Sequence, residues 1–148
     1  MNKMMKAMNM AYLVVAMLAL ASSCAIKKSP ESINSQIVGI KWQLVELEGK
    51  PVSERVNDKM PYLQMNKEGN YSASGGCNCI GGTYKLGKNS GIKFSLGVST
   101  MMACPDMSAE HGLQNLLEKA GNYRLKSSDL IFSQGNGNPL AKFSIATD

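Results

Sequence analysis

Three cysteines and the single histidine are the side chains of this chain with the strongest potential for chemistry. Cys77, Cys79, Cys104 and His111 carry the thiolate and imidazole groups that zinc and copper bind. The Cys-x-Cys spacing differs from the Cys-x-x-Cys spacing of structural zinc sites, and His111 is expected on the solvent side of a helix. The sequence therefore predicts no metal and no other cofactor.

Cysteine catalysis is the second chemistry that these residues suggest. Cys104 could act as nucleophile with His111 as its base and Asp106 as the group that orients the imidazole, because a thiol is activated by a neighbouring base. No phosphate-binding loop, hydrolase elbow or separated pair of carboxylates accompanies them. We therefore expect no catalytic residue and a protein that is not an enzyme.

The N-terminus predicts export and lipidation. Lys3 and Lys6 precede an apolar core from Ala11 to Ala21, which is typical of a secretory signal. This core is shorter than the roughly 18–20 apolar residues that a membrane-spanning helix needs. The segment Ala21-Ser22-Ser23-Cys24 resembles a bacterial lipobox, in which the cysteine is acylated and becomes the mature N-terminus. We therefore predict a lipoprotein signal peptide at residues 1–23 and lipidation of Cys24.

Ordinary secretion, with cleavage after Ala21 or Ser23, is the alternative. Lipidation would attach the protein to a membrane, since each buried acyl methylene contributes about 0.8 kcal/mol. The residues after Cys24 are basic (Ala25-Ile26-Lys27-Lys28), whereas signals for surface export favour acidic residues there. We expect a cell-envelope protein on the periplasmic face of the outer membrane, with surface exposure as the alternative.

Removal of residues 1–23 from the 148-residue chain leaves enough residues for one small domain and a tether. Residues 24–35 are polar and predict the tether, and residues 36–148 predict the domain. The formal charge falls from +5 to about +3 without Lys3 and Lys6, and the remaining basic residues form no block. The charge pattern therefore argues against nucleic acid as a partner.

The domain sequence reads as short strands with one helix. Apolar residues alternate with polar ones in several runs, for example at Ile40, Trp42 and Leu44, which is the period of a half-buried strand. The predicted strands are Ile40–Leu44, Tyr62–Met65, Tyr71–Tyr84, Ile92–Leu96, Tyr123–Lys126, Leu130–Phe132 and Leu140–Ile145. The pairs Gly75-Gly76 and Gly81-Gly82 lie inside the third of these and indicate a bulge, a bend or a close backbone approach.

Residues 108–120 predict an amphipathic helix. Its apolar stripe follows the helical period, with members at Ala109, Leu113, Leu116, Leu117 and Ala120. Asp106 or Ser108 is expected to cap its start, and Gly121 or Asn122 to close its end. About seven antiparallel strands and one helix predict an α+β fold in which the sheet curls into a partly closed barrel and so protects its edges.

Several motifs, in this order, make the chain resemble the META domain family. They are Trp42-x-Leu44, Gly76-Cys77-Asn78-x-x-Gly81-Gly82-x-Tyr84, Ser99-Thr100-Met101-Met102-Ala103-Cys104-Pro105, Glu110 before a Leu-rich helix, Tyr123-x-Leu125 and Leu130-x-Phe132. The resemblance runs from about Ile40 to Ile145 and is closest to HslJ-like bacterial lipoproteins. It implies a barrel-like α+β domain of the cell envelope, linked to stress response, motility or virulence, with no established catalytic activity.

The resemblance also implies a disulfide between Cys77 and Cys104, which an oxidising compartment would preserve. The alternative is that both are small buried thiols. Cys79 departs from the family pattern and would be left unpaired, as a reactive thiol, a link to another chain or a thiol- or metal-binding group. On an extended strand Cys77 and Cys79 face the same side, so they could also compete for Cys104.

The remaining candidate for function is the segment Val98–Met107. Thr100, Met101, Met102 and Pro105 form a candidate partner loop, because methionine side chains adapt to protein contacts and a bridged Cys104 would hold the loop. We expect a non-catalytic module that binds an envelope protein or an apolar ligand. A protease inhibitor that uses this loop is the second hypothesis, and the alternative is that both methionines fill the end of the barrel.

Overall fold

The computed structural model describes residues 36–135 and 137–147. The predicted signal peptide, the lipidation site Cys24 and the tether therefore lie outside the described residues. Within them the chain forms one antiparallel sheet and one helix. The elements are β1 (Lys41–Leu47), β2 (Lys50–Pro51), β3 (Tyr62–Met65), β4 (Asn70–Ser74), β5 (Cys79–Leu86), β6 (Ile92–Ser99), α1 (Ser108–Lys119), β7 (Asn122–Lys126), β8 (Asp129–Ser133) and β9 (Pro139–Ile145). No helix in this part of the chain has the length and apolar character needed to cross a membrane.

The sheet curls so that its two edges meet at one point. Its strand order is β6-β5-β4-β3-β1-β9-β8-β7, and β2 pairs with the end of β1. Where the edge strands β6 and β7 begin, the N–H of Ile92 donates to the carbonyl of Gly121 (3.0 Å) and the N–H of Tyr123 to that of Ser90 (2.9 Å). These bonds close the barrel only in part. One curled antiparallel sheet with a single helix confirms the predicted α+β fold class.

The long third strand predicted from Tyr71 to Tyr84 is wrong, because these residues form a hairpin. β4 and β5 pair with each other, and Ser74 lies opposite Cys79. The turn between them contains Gly76, whose φ of +103° is a backbone conformation that side chains with a Cβ rarely adopt. Each half of the hairpin alternates apolar and polar residues, so period alone could not separate one bent strand from two. With β2, this raises the count from about seven strands to nine.

The helix α1 confirms the predicted apolar stripe and the predicted start at Ser108, and it corrects the predicted caps and the C-terminal end. Ala109, Leu113, Leu116 and Leu117 are buried against the sheet. Met107 occupies the N-cap position without a side-chain cap, and the Asp106 carboxylate instead accepts the N–H of Ser108, two residues further on (2.9 Å). The helix ends at Lys119 with Ala120 as its C-cap, one residue earlier than expected. Gly121 and Asn122 do not close it, because Gly121 bonds to Ile92 where the barrel closes and Asn122 begins β7.

The barrel interior is packed with side chains. Phe132 lies edge-on to both Phe94 and Phe143, with ring centroids 5.8 and 5.7 Å apart. Trp42 is buried, and its indole N–H donates to the carbonyl of Ile37 (2.9 Å). The one polar atom of this side chain therefore has a hydrogen-bond partner. Apolar burial of this kind is the main stabilising term of a small domain.

The chain enters the barrel at the end where β1 begins, and the first turns of α1 pack against the end where β1 finishes. The N–H of Gly39, just before β1, donates to the carbonyl of Met65 (2.8 Å). At the far end of β1, Leu47 contacts Gly112 of α1, and Asn115 donates to the Glu48 carboxylate (3.1 Å). A seven-residue strand is about 23 Å long. The first turns of α1 therefore lie near the opposite end of β1 from the point at which the described chain enters the barrel.

Candidate functional site

A disulfide joins the β4–β5 turn to the chain that follows β6. Cys77 and Cys104 are bonded (S–S 2.02 Å, Cα–Cα 6.0 Å), as the family resemblance implies. The alternative of two small buried thiols is wrong, because the two sulfurs are bonded and only Cys77 is buried, whereas Cys104 is half-buried. The bond fixes one end of the segment from Val98 to Met107, which we call the pinned segment.

The Asn78 side chain holds the pinned segment at a second place. Its amide oxygen accepts the Thr100 hydroxyl (2.9 Å) and the Met102 N–H (2.7 Å), and its amide nitrogen donates to the Met102 carbonyl (3.0 Å). Asn78 is buried, so these bonds are shielded from water. Sequence reasoning quoted Asn78 only as part of a family motif and missed this role, since the partners are 22 and 24 residues away.

Glu110 of α1 holds Asn78 in place through hydrogen bonds. Its carboxylate accepts the backbone N–H of Asn78 at one oxygen and the side-chain amide of Asn78 at the other, both at 2.7 Å. The side chain is only 2% exposed. A buried carboxylate needs such partners, and its place in the first turn of α1 adds the favourable field of the helix N-terminus. The Asn78–Glu110 pair therefore couples the helix to the pinned segment.

Gly75 makes this contact geometrically feasible. A Cβ atom added at Gly75 would overlap the backbone of Ala109 and Glu110, so only glycine lets the turn approach the helix this closely. The glycine pair Gly75-Gly76 thus marks a close backbone approach, one of the three features that the sequence indicated. The turn, the helix and the pinned segment meet at this point.

The pinned segment continues β6 without a turn or bend from Thr100 to Cys104. Thr100 pairs with Cys79 twice: its N–H donates to the Cys79 carbonyl, and its hydroxyl accepts the Cys79 N–H, both at 3.1 Å. Met101, between the two anchored residues Thr100 and Met102, is 97% exposed. Met102 is 48% exposed, so the alternative that both methionines fill the end of the barrel is wrong.

Apolar side chains extend this surface along the edge strand. Val98 is 80% exposed and Leu96 is 49% exposed on β6, and Pro105 is also exposed. Beside them a groove of about 610 Å³ is lined by Thr100, Met102 and residues of α1. Exposed large apolar residues that adjoin one another commonly mark contact surfaces. The candidate partner loop predicted from the sequence is thus open to a partner.

Cys79 is the free thiol among the described residues, and it is exposed. Cys77, two positions earlier, is buried because residues 75–78 form a turn rather than an extended strand. The expectation that Cys77 and Cys79 share one face of a strand is therefore wrong. Cys79 instead lies at the start of β5, next to Thr100.

The structure does not assemble the metal-binding or catalytic groupings considered above. Cys77 and Cys104 are used in the disulfide, so neither offers a thiolate. His111 is exposed and lines, with Asp106, a separate groove of about 510 Å³ between α1 and the β1–β2 hairpin. Over residues 36–135 and 137–147, no three His, Cys, Asp or Glu side chains are grouped to hold a metal ion.

The pKa of Asp106 provides a test of the hydrogen bonds near the C-terminal end of the pinned segment. The Ser108 hydroxyl, followed by the Ser108 N–H, lowers the pKa of Asp106 from its ordinary value, because both donate to the charged carboxylate. We expect Ser108→Ala to raise the pKa of Asp106 towards that value, as measured by NMR titration of the carboxyl carbon. A pKa depressed in the folded state favours folding above the unfolded-state pKa, and this contribution disappears as the pH falls through the folded value.

Ser99→Ala is the matched control for this titration, since the Ser99 hydroxyl donates to the Thr100 carbonyl (2.9 Å) and not to Asp106. This substitution should leave the pKa of Asp106 unchanged. An unchanged Asp106 curve in Ser108→Ala would contradict the assignment of the hydroxyl as the main cause.

Comparison with known proteins gives a family and a fold. The META domain family matches residues 35–147. An NMR structure is 20% identical (TM-score 0.59; 75% of this chain and 92% of that one covered). An NMR structure of a Burkholderia xenovorans protein is 21% identical (0.58; 86% and 97%), and a crystal structure of a DUF4847 family protein from Bacteroides vulgatus is 14% identical (0.54; 76% and 96%). At these identities the structures show the fold alone. No curated protein matches the chain.

Proposed function

This chain belongs to the META domain family, and we propose that it is a non-catalytic module that binds a partner protein through the pinned segment. The observation that carries the proposal is the 97% exposure of Met101 between residues anchored on both sides. A side chain exposed on a fixed backbone loses little conformational entropy on binding, so less of the contact energy is lost to ordering. The filled barrel interior favours a protein over an apolar ligand as the occupant.

Lipid attachment through Cys24 and residence in the cell envelope are part of the same proposal. Their support is the signal-like N-terminus with its lipobox and the family's association with envelope lipoproteins. β1 and β6 run in the same direction across the sheet, so the pinned segment after β6 lies at the end opposite the start of β1, and an anchor at Cys24 joins the domain at the end farther from Met101. This geometry favours a partner outside the membrane, and a role in stress response or virulence follows the family association.

A protease inhibitor is the second candidate, and the same segment favours it. Inhibitors that bind like substrates present a preorganised backbone from which a side chain projects, and Met101 projects from between the anchored residues Thr100 and Met102. A thiol- or metal-binding role for Cys79 has only the exposure of that side chain in its favour.

Site-specific crosslinking tests the partner surface. A photoreactive residue at Met101 of the full-length protein in intact envelopes should give a defined crosslinked species that mass spectrometry identifies. Met102→Ser should reduce its yield several-fold, since Met102 shares the surface. The same sample shows whether Cys24 carries acyl chains.

The matched control places the photoreactive residue at Ser128, an exposed residue in the β7–β8 turn. That position should not give the same species. Equal yields from Met101 and Ser128, or crosslinks from Met101 to lipid alone, would contradict partner binding by the pinned segment.

A further inference from the structure

The peptide bond between Met101 and Met102 is held in an unusual way. Asn78 bonds to Thr100 before this bond and to the N–H and carbonyl of Met102 after it. The disulfide at Cys104 fixes the chain two residues further on. The residues on both sides of this peptide bond are thus hydrogen-bonded to the same buried side chain, and these bonds would persist if the peptide bond were cut.

An endopeptidase binds its substrate as an extended chain and inserts the side chain before the scissile bond into a specificity pocket. Met101 can supply that projecting side chain, because its two neighbours are anchored and it is itself 97% exposed. Its long, unbranched, uncharged side chain suits a deep apolar pocket and not one that carries a buried charge.

We propose that the pinned segment is a substrate-like inhibitory loop for serine endopeptidases with an apolar specificity pocket, and that Met101 is the residue that enters the pocket. This inference rests on the proposed function, since it names the class of partner for the same surface. The neighbouring Val98 and Met102 extend the contact on either side of Met101.

The chemistry of inhibition follows from the anchoring. The protease serine oxygen bonds to the Met101 carbonyl carbon, the bond from that carbon to the Met102 nitrogen breaks, and the serine proton moves to that nitrogen through the protease histidine. In an ordinary substrate the new amine then diffuses away. Here Asn78 and the Cys104 disulfide hold Met102 in place, so the amine re-forms the peptide bond in preference to hydrolysis of the acyl-enzyme.

A switch of specificity tests the proposal. The oxidised full-length protein should inhibit chymotrypsin, whose pocket is apolar, and remain largely intact during the assay. Met101→Lys should weaken that inhibition by about 100-fold and create inhibition of trypsin, whose pocket carries an aspartate, because a residue buried in such a pocket dominates the binding energy.

Met102→Lys is the matched control, since it adds the same charge at the neighbouring position. It should keep inhibition of chymotrypsin within about tenfold and give no inhibition of trypsin. The inference is overturned if chymotrypsin is not inhibited and Met101→Lys does not inhibit trypsin, or if the Met101–Met102 bond is cut and released as in any substrate. If inhibition fails but Met101 still gives specific crosslinks, the proposed function stands without this inference. If both inhibition and specific crosslinking fail, the proposed function and this inference are overturned together.

Discussion

Replacement of Asn78 by alanine is expected to lower the free energy of unfolding by about 3–5 kcal/mol. The change removes every side-chain bond that Asn78 makes to the pinned segment and to Glu110. It also leaves the Glu110 carboxylate buried with one of its two hydrogen-bond donors missing. A buried carboxylate that loses a hydrogen-bond donor is costly, because water cannot replace the lost bond. Urea unfolding of the oxidised protein measures the difference.

Asn115→Ala is the matched control, because Asn115 makes one exposed side-chain bond, to Glu48. It should cost no more than about 0.5–1 kcal/mol. A loss below about 1 kcal/mol for Asn78→Ala would show that the pinned segment is held by the disulfide alone.

Asn78→Asp separates lost hydrogen bonds from lost volume. The aspartate side chain has nearly the size of asparagine and keeps the oxygen that accepts from Thr100 and Met102. It replaces the amide donor with an oxygen that would face the Glu110 carboxylate at hydrogen-bond distance. Two carboxyl oxygens there repel each other, so at neutral pH we expect a loss at least as large as that of Asn78→Ala.

Local patterns predicted most of the elements of this fold correctly. The alternation of Ile92 and Phe94 with polar residues predicted β6, and the helical period predicted the buried stripe of α1, because both patterns record which side of a single element is buried. The β4–β5 hairpin was missed since a turn between two alternating runs can preserve the alternation. The pair Gly75-Gly76 indicated an irregularity there, but glycines alone do not distinguish a bulge, a bend and a close backbone approach.

The candidate site was predictable only in part. The Cys77–Cys104 pairing came from the family resemblance, and the exposed loop from its composition. The contact of Asn78 with Glu110 spans 32 residues and joins a turn to a helix. Such a contact depends on how the sheet curls, which no local period records. An asparagine in a glycine-rich turn is also a common turn residue in its own right, so its type alone gave no reason to look for a buried partner.

Removal of the disulfide is the second change with a large expected effect. The double variant Cys77→Ala, Cys104→Ala should lower the free energy of unfolding by about 3–4 kcal/mol, because the bond closes a loop whose ends are 27 residues apart and so restricts the unfolded chain. Chemical denaturation of the variant and the oxidised protein measures the loss. Cys79→Ala is the control, and it should stay within about 0.5 kcal/mol since Cys79 is exposed and unbridged.

The disulfide and Asn78 hold the same segment, so their effects should not add. Once Cys104 is released, the hydrogen bonds of Asn78 to Met102 restrain a freer chain and stabilise the fold less. A double-mutant cycle between Asn78→Ala and the double cysteine variant should therefore give a coupling free energy of about 1 kcal/mol or more, with the combined loss smaller than the sum. Strict additivity would mean that the two anchors act on separate parts of the chain, and Met101 would then lack the two-sided support on which its proposed role depends.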